Sequence, residues 1–220
     1  MIIDGGNFDW AAQPAQQPAL NEPDPSYHGA VWTEAAATLG PIAFALKARV
    51  TLLRDLGGAL SPTNAFQIIQ GLETLPLRIR EHVKNASAVA DFLASHPAVA
   101  SVNYPRLQTG NAASRAHAYL WGGYGGLVGF ELKHGFAAGQ AFINALRLFY
   151  HVANIGDARS LAIHPASTTH SQLVADKQRN TGVTKGYVRL SVGIEHIDDI
   201  IADLSQALDA ATGALSAAVE

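Results

Sequence analysis

The stretch YVRLSVGIEHIDDIIADLSQALDAA, residues 187–211, decides the fold because its hydrophobic period changes partway along. In the first part apolar and other residues alternate, so that Val188, Leu190 and Val192 share one face of a strand. The second part has an apolar stripe at helical spacing, made of Ile197, Ile200, Ile201, Leu204 and Leu208. The sequence therefore predicts a half-buried strand followed by a closing amphipathic helix.

Four short strands precede this stretch, and their spacing argues against a doubly wound parallel sheet. A parallel pair needs a crossover of about a dozen residues or more, and the gaps leave too little room for a helix each time. We therefore predict an α/β chain whose C-terminal part is α+β with a mostly antiparallel sheet. The strands are predicted at 98–105, 125–133, 151–156 and 160–164, with a helix at 137–149.

The first 95 residues show a different pattern. Residues 7–29 are rich in Pro, Gln and Asn, which predicts an irregular arm after a strand end at Ile2-Ile3. Pro41 and Gly57 bracket one predicted helix. Ser61-Pro62 begins a second, which runs to about residue 95 with a kink at Pro76. The predicted domains are 1–40, 41–95 and 96–220.

Composition limits the class of protein. Charged residues are only 15% of the 220, below the roughly 25% of an average domain, so a partner chain is expected to cover part of the surface. The net charge of −3 and the scattered Lys and Arg argue against nucleic acid. We expect no membrane span, because no apolar run approaches about 18 residues. The absence of cysteine and of a basic, apolar leader fits a cytoplasmic protein.

Arg189 is the most informative single residue. It stands in the middle of an apolar strand, on the face opposite Val188 and Leu190. A guanidinium in that position needs a planar anionic partner, for which a carboxylate is the natural choice. That carboxylate could belong to an internal Asp or Glu or to a ligand, and the spacing alone leaves both open.

The polar stretch SLAIHPASTTHSQL, residues 160–173, suggests several kinds of site. His164 and His170 lack the spacing of a zinc motif, so no metal is expected. Ser167, His170 and Asp176 could be written as a triad, but no nucleophile motif surrounds them. The hydroxyl groups are expected to satisfy backbone groups at a strand end or to orient a neighbour such as Arg189.

Two further motifs are given structural interpretations. GGYGG, residues 122–126, precedes a strand rather than a helix, so it is predicted to be a loop without a phosphate site. Lys185 lies between Gly182 and Gly186 and is expected to be exposed. An exposed lysine is a poor partner for a Schiff base.

Three long blocks together resemble the Cys/Met-metabolism enzymes that use pyridoxal 5'-phosphate, the cystathionine γ-synthase-like group of fold type I. They are LRDLGGALSPTNAFQIIQGLETLPLRIREHVKNA (53–86), NIGDARSLAIHPASTTHSQL (154–173) and GVTKGYVRLSVGIEHIDDIIADLSQAL (182–208). DGGNFDW (4–10), EPDPSYHG (22–29) and the Asn-Ile-Gly-Asp form of the second block are most similar to the O-acetylhomoserine sulfhydrylases.

The resemblance implies a substrate site. In that family the arginine matching Arg189 receives the α-carboxylate of the amino-acid substrate, and the residue matching Thr169 supports that arginine. Asn154 matches a position beside the carboxylate and the catalytic lysine. The implied reaction, in methionine biosynthesis, replaces the acetate of O-acetyl-L-homoserine by sulfide or methanethiol, giving homocysteine or methionine. Fragments of an O-succinylhomoserine sulfhydrylase, a cystathionine γ-synthase or a γ-lyase, or a non-catalytic association fragment, remain alternatives.

The resemblance also implies that parts are missing. Family members are about twice as long and form homotetramers, and their Schiff-base lysine and cofactor-binding groups lie before the matched region. None of the five lysines in this sequence (47, 84, 133, 177 and 185) matches that position. We therefore expect a C-terminal fragment: the last helices of a large domain followed by the small domain, with no catalytic, cofactor-binding or metal residue of its own. It is expected to be inactive without the N-terminal half.

Overall fold

The structure is a computed structural model that describes residues 3–216. Its contacts divide the chain into two compact units, with the division between residues 69 and 70. The domain boundaries expected at residues 40 and 95 stay a prediction. Of the strand end expected at Ile2-Ile3, Ile2 lies outside the described residues and Ile3 belongs to no helix or strand. No helix of the described range is long and apolar enough to cross a membrane.

Short helices make up the regular parts of the first unit. They are α1 (Pro18–Asn21), α2 (Trp32–Ala35), α3 (Ala43–Lys47) and α4 (Arg54–Leu56), with a π-helical segment, Ala48–Leu53, joining α3 to α4. The helix predicted between Pro41 and Gly57 is confirmed as this continuous run from α3 to α4. It ends at Gly57, whose φ of +69° is a left-handed conformation that favours glycine.

Trp32 is at the centre of a small core in the first unit, together with Leu20, Ala36 and Ala43. Residues of the predicted irregular arm pack against it. The Trp10 ring stacks on Phe44 with ring centres 5.2 Å apart, and Tyr27 lies 4.9 Å from Trp32. The arm is therefore a packed part of this unit, and it contains α1 and the 3-10 turns Pro14–Gln16 and Pro25–Tyr27.

Two helices, α5 (Pro62–Glu73) and α6 (Leu75–Ser95), replace the single kinked helix predicted for this region. The predicted start is confirmed, since Ser61 Oγ accepts a 3.1 Å hydrogen bond from the Asn64 N–H. The prediction was wrong at Pro76, where the chain begins a new helix instead of bending an old one. Proline is well accommodated there because the first turn of a helix does not use its backbone N–H groups internally.

A five-stranded sheet forms the centre of the second unit, in the order β1-β2-β5-β4-β3. Among the strand pairs of residues 3–216 only β3–β4 is parallel, so the predicted, mostly antiparallel α+β sheet is confirmed. The strands are β1 (Val99–Asn103), β2 (Leu127–Leu132), β3 (Tyr150–His151), β4 (Leu161–Ile163) and β5 (Tyr187–Ser191). The remaining helices are α7 (Gly110–Tyr119), α8 (Gly135–Ala145), α9 (Ala175–Asn180) and α10 (Ile197–Ser216).

One face of the sheet carries the main core. Val128 and Phe130 of β2 and Val188 and Leu190 of β5 are fully buried, as the alternation in both strands predicts. Helices α6 and α8 pack on this face, and α10 packs against both of these helices. The apolar stripe predicted in α10 is confirmed, and its buried members include Ile200, Leu204 and Leu208.

Two predicted boundaries in the second unit were wrong for a tertiary reason. The helix predicted for 137–149 ends at Ala145, because the Asp203 carboxylate accepts the backbone N–H groups of Arg147, Leu148 and Phe149. The strand predicted for 151–156 stops at His151, and Gly156 turns away with a φ of +76°. The helix α7 was not predicted; none of its residues is buried, so it has no apolar stripe to recognise.

Candidate functional site

Arg189 lies on the face of β5 opposite the main core. Its register partners are Gly129 on β2 and Ile163 on β4, and its side chain is half-buried. Gly129 leaves room for the ring of Tyr187, two residues before Arg189, because a β-carbon at position 129 would overlap that ring. Tyr187 and Arg189 are two residues apart on β5, so both side chains leave the second face of the sheet.

The Arg189 side chain has donors without a protein partner. Its Nη2 donates a 3.3 Å hydrogen bond to the backbone carbonyl oxygen of Asn154. Its Nε is buried and has no hydrogen-bond partner among residues 3–216. Within the same range no Asp or Glu forms a salt bridge with it. An internal carboxylate, one of the two partners that the sequence left open, is therefore not found in the described part of the chain.

The loop that carries Asn154 is attached to β5 and to the turn after it. The Gly156 N–H donates to Ser191 Oγ at 3.0 Å, two residues along the strand from Arg189. Further on, the Ile194 N–H donates to the Ala158 carbonyl oxygen at 2.9 Å. The loop thus follows the strand closely, and this is how Asn154 comes to lie beside Arg189.

Ser160 and Glu195 close the far end of this loop. The Glu195 carboxylate accepts the Ser160 N–H at 2.6 Å and the Ser160 hydroxyl at 2.9 Å. The same hydroxyl accepts the Gly193 N–H at 2.9 Å. From the opposite side, Asn85 of α6 donates to the carbonyl oxygens of Gly193 and Glu195 at 3.1 and 2.9 Å. The turn after β5 is therefore fixed by both the loop and α6.

Thr169 lies on the surface, and the hydrogen bond of its hydroxyl is to His170 Nδ1 at 2.9 Å. No hydrogen bond joins it to Arg189 in the described range, so the support for Arg189 that the resemblance implies stays a prediction. Other hydroxyl groups of the stretch do satisfy backbone oxygens: Thr168 donates to the carbonyl of His164 at 2.9 Å, and Ser171 to that of Thr168 at 2.8 Å.

His164 is a buried structural residue. Its Nε2–H donates to the Lys185 carbonyl oxygen at 2.8 Å, and its Nδ1 lies 2.8 Å from the Ser167 hydroxyl. Burial lowers the pKa of the imidazole below its ordinary 6.5, since the interior disfavours the charged form. The ring is therefore held neutral between two fixed partners.

The structure also bears on the other motifs of the sequence: the possible triad, a metal site and the glycine-rich loop. The triad residues do not meet: Ser167 bonds to His164, His170 to Thr169, and Asp176 to Arg179. No group of three His, Cys, Asp or Glu in residues 3–216 is placed to hold a metal ion. Residues 122–126 form a loop before β2, as predicted.

The lysines do not fit a covalent pyridoxal site. Such a lysine needs a desolvated pocket or a neighbouring cation to lower its pKa. Lys47 instead pairs with the Asp24 carboxylate at 2.6 Å, and Lys84 pairs with Glu81 at 3.0 Å on the surface. Lys133, Lys177 and Lys185 are exposed. Among residues 3–216, therefore, no lysine has the surroundings that a Schiff base with the cofactor requires.

A mainly apolar groove of about 440 Å³ adjoins the loop that carries Asn154. Ile155, Gly156 and Ser191 form one side of it. On another side lies His82, whose Nδ1–H donates to the Val192 carbonyl oxygen at 2.6 Å. Its Nε2 is buried without a partner among the described residues. The groove is therefore mainly apolar, with the Nε2 of His82 beside it as a polar atom unpaired within residues 3–216.

Solved structures identify the class of protein. The fold is similar to a crystal structure described as an O-acetylhomoserine (thiol)-lyase from Campylobacter jejuni, with N'-pyridoxyl-lysine-5'-monophosphate. The TM-score is 0.76 at 44% identity, over 87% of this chain and 44% of that one. The chain has the fold of a pyridoxal-phosphate (PLP) enzyme.

The family follows from the sequence comparisons. The family model described as Cys/Met metabolism PLP-dependent enzyme matches residues 27–209. The chain is 53% identical to O-acetyl-L-homoserine sulfhydrylase of Leptospira meyeri, over 94% of its own length, and 47% identical to homocysteine synthase of Schizosaccharomyces pombe, over 96%. The chain belongs to the Cys/Met metabolism PLP-dependent enzyme family. It spans about half the length of these relatives, 48% of each.

Sequence reasoning missed the residues that surround Arg189. Strand alternation puts Ser191 on the same face as Arg189, but its contact with Gly156 depends on a loop for which the sequence predicts a strand. Glu195 and Ser160 were not singled out, since no motif joins two residues 35 positions apart. A usable signal was present in Gly156, because a glycine inside a predicted strand often marks a departure from it.

Proposed function

We propose that this chain supplies the part of a PLP-dependent O-acetyl-L-homoserine sulfhydrylase that binds the substrate carboxylate. The chain covers about half of its relatives, so the rest of the active site would come from a polypeptide equivalent to their other half. The observation that carries the proposal is the half-buried Arg189, whose Nε has no protein partner in the described range.

The charge of Arg189 supports this role. A guanidinium remains protonated at all physiological pH values and binds carboxylates through two parallel N–H···O bonds. One Nη2 hydrogen bond goes to a neutral carbonyl oxygen, that of Asn154, which orients the group without neutralising it. The positive charge is therefore left for an anion such as the α-carboxylate of an amino acid. Asn154 and Thr169 are proposed to support this binding.

The reaction proposed for the complete enzyme is replacement at Cγ. Acetate leaves O-acetyl-L-homoserine, and sulfide or methanethiol takes its place, giving homocysteine or methionine. Pyridoxal phosphate, when bound, withdraws electrons from the substrate and so activates it. The contribution of this chain is to hold the substrate by its carboxylate end. The names of the relatives favour this specificity over the succinyl, cystathionine and γ-elimination alternatives.

The exposed apolar side chains support assembly with another polypeptide. Large apolar side chains stand out from α5 and from the first turn of α6, where Phe66, Ile69, Leu72 and Leu77 are each more than half exposed. Exposed apolar residues in such numbers commonly mark an interaction surface. Within the proposal, the assembly is a homo-oligomer of the complete enzyme in the cytoplasm.

A chimera tests the function. The matching segment of the Leptospira meyeri relative is exchanged for this chain, and homocysteine formation from O-acetyl-L-homoserine and sulfide is measured. We expect Arg189→Lys to lower kcat/KM on the order of 100-fold, since it loses two charge-assisted hydrogen bonds to the carboxylate. Arg115→Lys, on the exposed surface of α7, is the matched control and should keep the activity of the parent chimera.

Two results would contradict the proposal. A chimera that is active and insensitive to Arg189→Lys would remove the assigned carboxylate site. A chimera that prefers O-succinyl-L-homoserine, or that accepts cysteine better than sulfide, would move the function to one of the sister specificities. For the chain alone, we expect pyridoxal phosphate and borohydride to leave no lysine labelled in stoichiometric amount, as judged by intact mass.

A further inference from the structure

We propose that Ser191 is a positioning residue for Arg189, and that it acts through the loop that carries Asn154 and Gly156. The inference rests on the proposed function, because it concerns the same carboxylate site. In this role the Ser191 hydroxyl fixes the position of the loop, and the loop presents the Asn154 carbonyl oxygen that orients the Arg189 guanidinium.

The spacing of the four residues is what suggests this role. Arg189 and Ser191 are two apart on β5, so their side chains leave the same face of the sheet. Along the facing loop, the Asn154 carbonyl accepts from Arg189 Nη2 at 3.3 Å, and the Gly156 N–H donates to Ser191 Oγ at 3.0 Å. Two neighbouring hydrogen bonds thus join the loop to the strand. The strand donates the first, from Arg189, and the loop donates the second, from Gly156.

The loop depends on these bonds because packing does not hold it. Residues 151–159 are all exposed, so little apolar burial fixes the position of Asn154. Ser191, by contrast, is 3% exposed and belongs to a strand paired on both sides. The Ser191 hydroxyl therefore gives the exposed loop a fixed acceptor at Gly156, two residues from the Asn154 carbonyl.

The backbone of Gly156 fits the same arrangement. Its φ of +76° lies in the left-handed region, which glycine enters without the steric penalty of a side chain. This turn aims the Gly156 N–H at the strand while the Asn154 carbonyl still faces Arg189. Beyond Gly156, the next bond to the turn after β5 is at Ala158, so Ser191 is the anchor nearest to Asn154.

The consequence for binding is orientation. With Nη2 held by the Asn154 carbonyl, the plane of the guanidinium is fixed and its Nε remains available to a ligand oxygen. Without the hydrogen bond from Gly156 to Ser191, the Asn154 carbonyl is free to move with the loop. The Arg189 side chain can then adopt additional rotamers. A carboxylate would then have to order the side chain as it binds, and its affinity would fall.

The first experiment needs no ligand. Solvent exchange of the Arg189 Nε–H is measured by 15N NMR in the 220-residue chain, in Ser191→Ala and in two controls. Ser191→Thr keeps the hydroxyl group, while Ser87→Ala removes a hydroxyl that lies 3.1 Å from Tyr104 OH, elsewhere in the second unit. We expect exchange to be about fivefold faster in Ser191→Ala, the factor that one neutral hydrogen bond supplies, and unchanged in both controls. Unchanged exchange in Ser191→Ala would overturn the inference.

The second experiment separates positioning from general loosening. The same proteins are titrated with L-homoserine and with L-homoserinamide, which lacks the carboxylate, while the Arg189 Nε–H signal is followed. We expect Ser191→Ala to weaken binding of the acid by about fivefold and to leave the amide unaffected. Equal weakening of both probes would indicate a structural effect and overturn the inference. If the wild-type chain does not distinguish acid from amide, the proposed function fails, and the exchange rates still decide whether Ser191 positions Arg189.

Discussion

The Asp203 carboxylate of α10 accepts a 2.9 Å hydrogen bond from the backbone N–H of Leu148, 55 residues earlier in the chain. The N–H groups of Arg147 and Phe149 donate to the same carboxylate at 2.9 and 3.2 Å. A buried acidic side chain thus satisfies three consecutive backbone donors where α8 has ended and β3 has not begun. This contact decides the end of α8, which the apolar pattern of the sequence placed four residues later.

Asp203→Asn should destabilise the chain markedly. An asparagine offers one acceptor oxygen and one donor group, so at least one backbone N–H would be left buried without a partner. We expect the free energy of unfolding in urea to fall by about 1.5–3 kcal/mol, the range for hydrogen bonds to a charged group. Asp209→Asn, exposed on the same helix, is the matched control and should change stability by less than about 0.5 kcal/mol. Equal losses in the two variants would refute this role for Asp203.

Ser160→Ala tests the junction between the loop and the turn after β5. The variant removes a hydrogen bond to Glu195 and leaves the Gly193 N–H without its acceptor. A buried donor without a partner costs about 1–3 kcal/mol, so we expect a loss of that size in urea unfolding. Ser171→Ala, which removes an exposed hydroxyl–carbonyl bond, should have almost no effect. A stable Ser160→Ala would mean that water replaces the hydroxyl group.

Two helical glycines should respond to alanine in opposite directions. At Gly139 of α8 a β-carbon would lie 2.6 Å from Cδ2 of His164, so Gly139→Ala must displace a buried imidazole ring. We expect that overpacking to cost about 1–3 kcal/mol. At Gly213 of α10 no atom of the described residues lies within 4 Å of the added β-carbon. Gly213→Ala should stabilise the chain by about 0.5–1 kcal/mol, since alanine favours the helix. Thermal unfolding of both variants measures whether stability falls or rises. A Gly139→Ala variant of unchanged stability would contradict the contact with His164.

The buried His164 should make stability depend on pH. Burial lowers the pKa of this imidazole below 6.5, so the unfolded chain binds more protons than the folded chain as pH falls through that region. The contribution is fully present above the unfolded pKa and is lost as pH falls towards the folded one. We expect the free energy of unfolding to decline between about pH 7.5 and 5.5, the region around the ordinary histidine pKa.

Two histidine variants isolate this effect. His164→Gln keeps an N–H donor for the Lys185 carbonyl and cannot take up a proton, so its stability should decline less over the same pH range. His117→Gln, which replaces an exposed histidine of α7, should keep the wild-type slope. If His164→Gln follows the wild-type pH dependence, the loss of stability arises from other groups.

Much of the fold could be predicted because it depends on local periodicity. The alternation in β2 and β5 and the stripe in α10 each assign residues to a buried or an exposed face without reference to distant segments. The helix α7 escaped prediction for the converse reason: with no buried residue, it leaves no apolar period in the sequence. The predicted boundaries failed after Ala145, where the Arg147 N–H donates to Asp203, and after His151, where the chain continues as a loop whose Gly156 N–H donates to Ser191.

The candidate site divides in the same way. By itself the sequence determined that Arg189 stands on the polar side of an apolar strand, because side chains alternate along any strand. Only the tertiary structure decided which groups lie beside it. The Asn154 carbonyl and the Gly156 N–H reach β5 because the strand order brings β4, and the loop that enters it, alongside. Hydrogen bonds between residues 35 positions apart follow from that order and from the left-handed turn at Gly156, which no local pattern specifies.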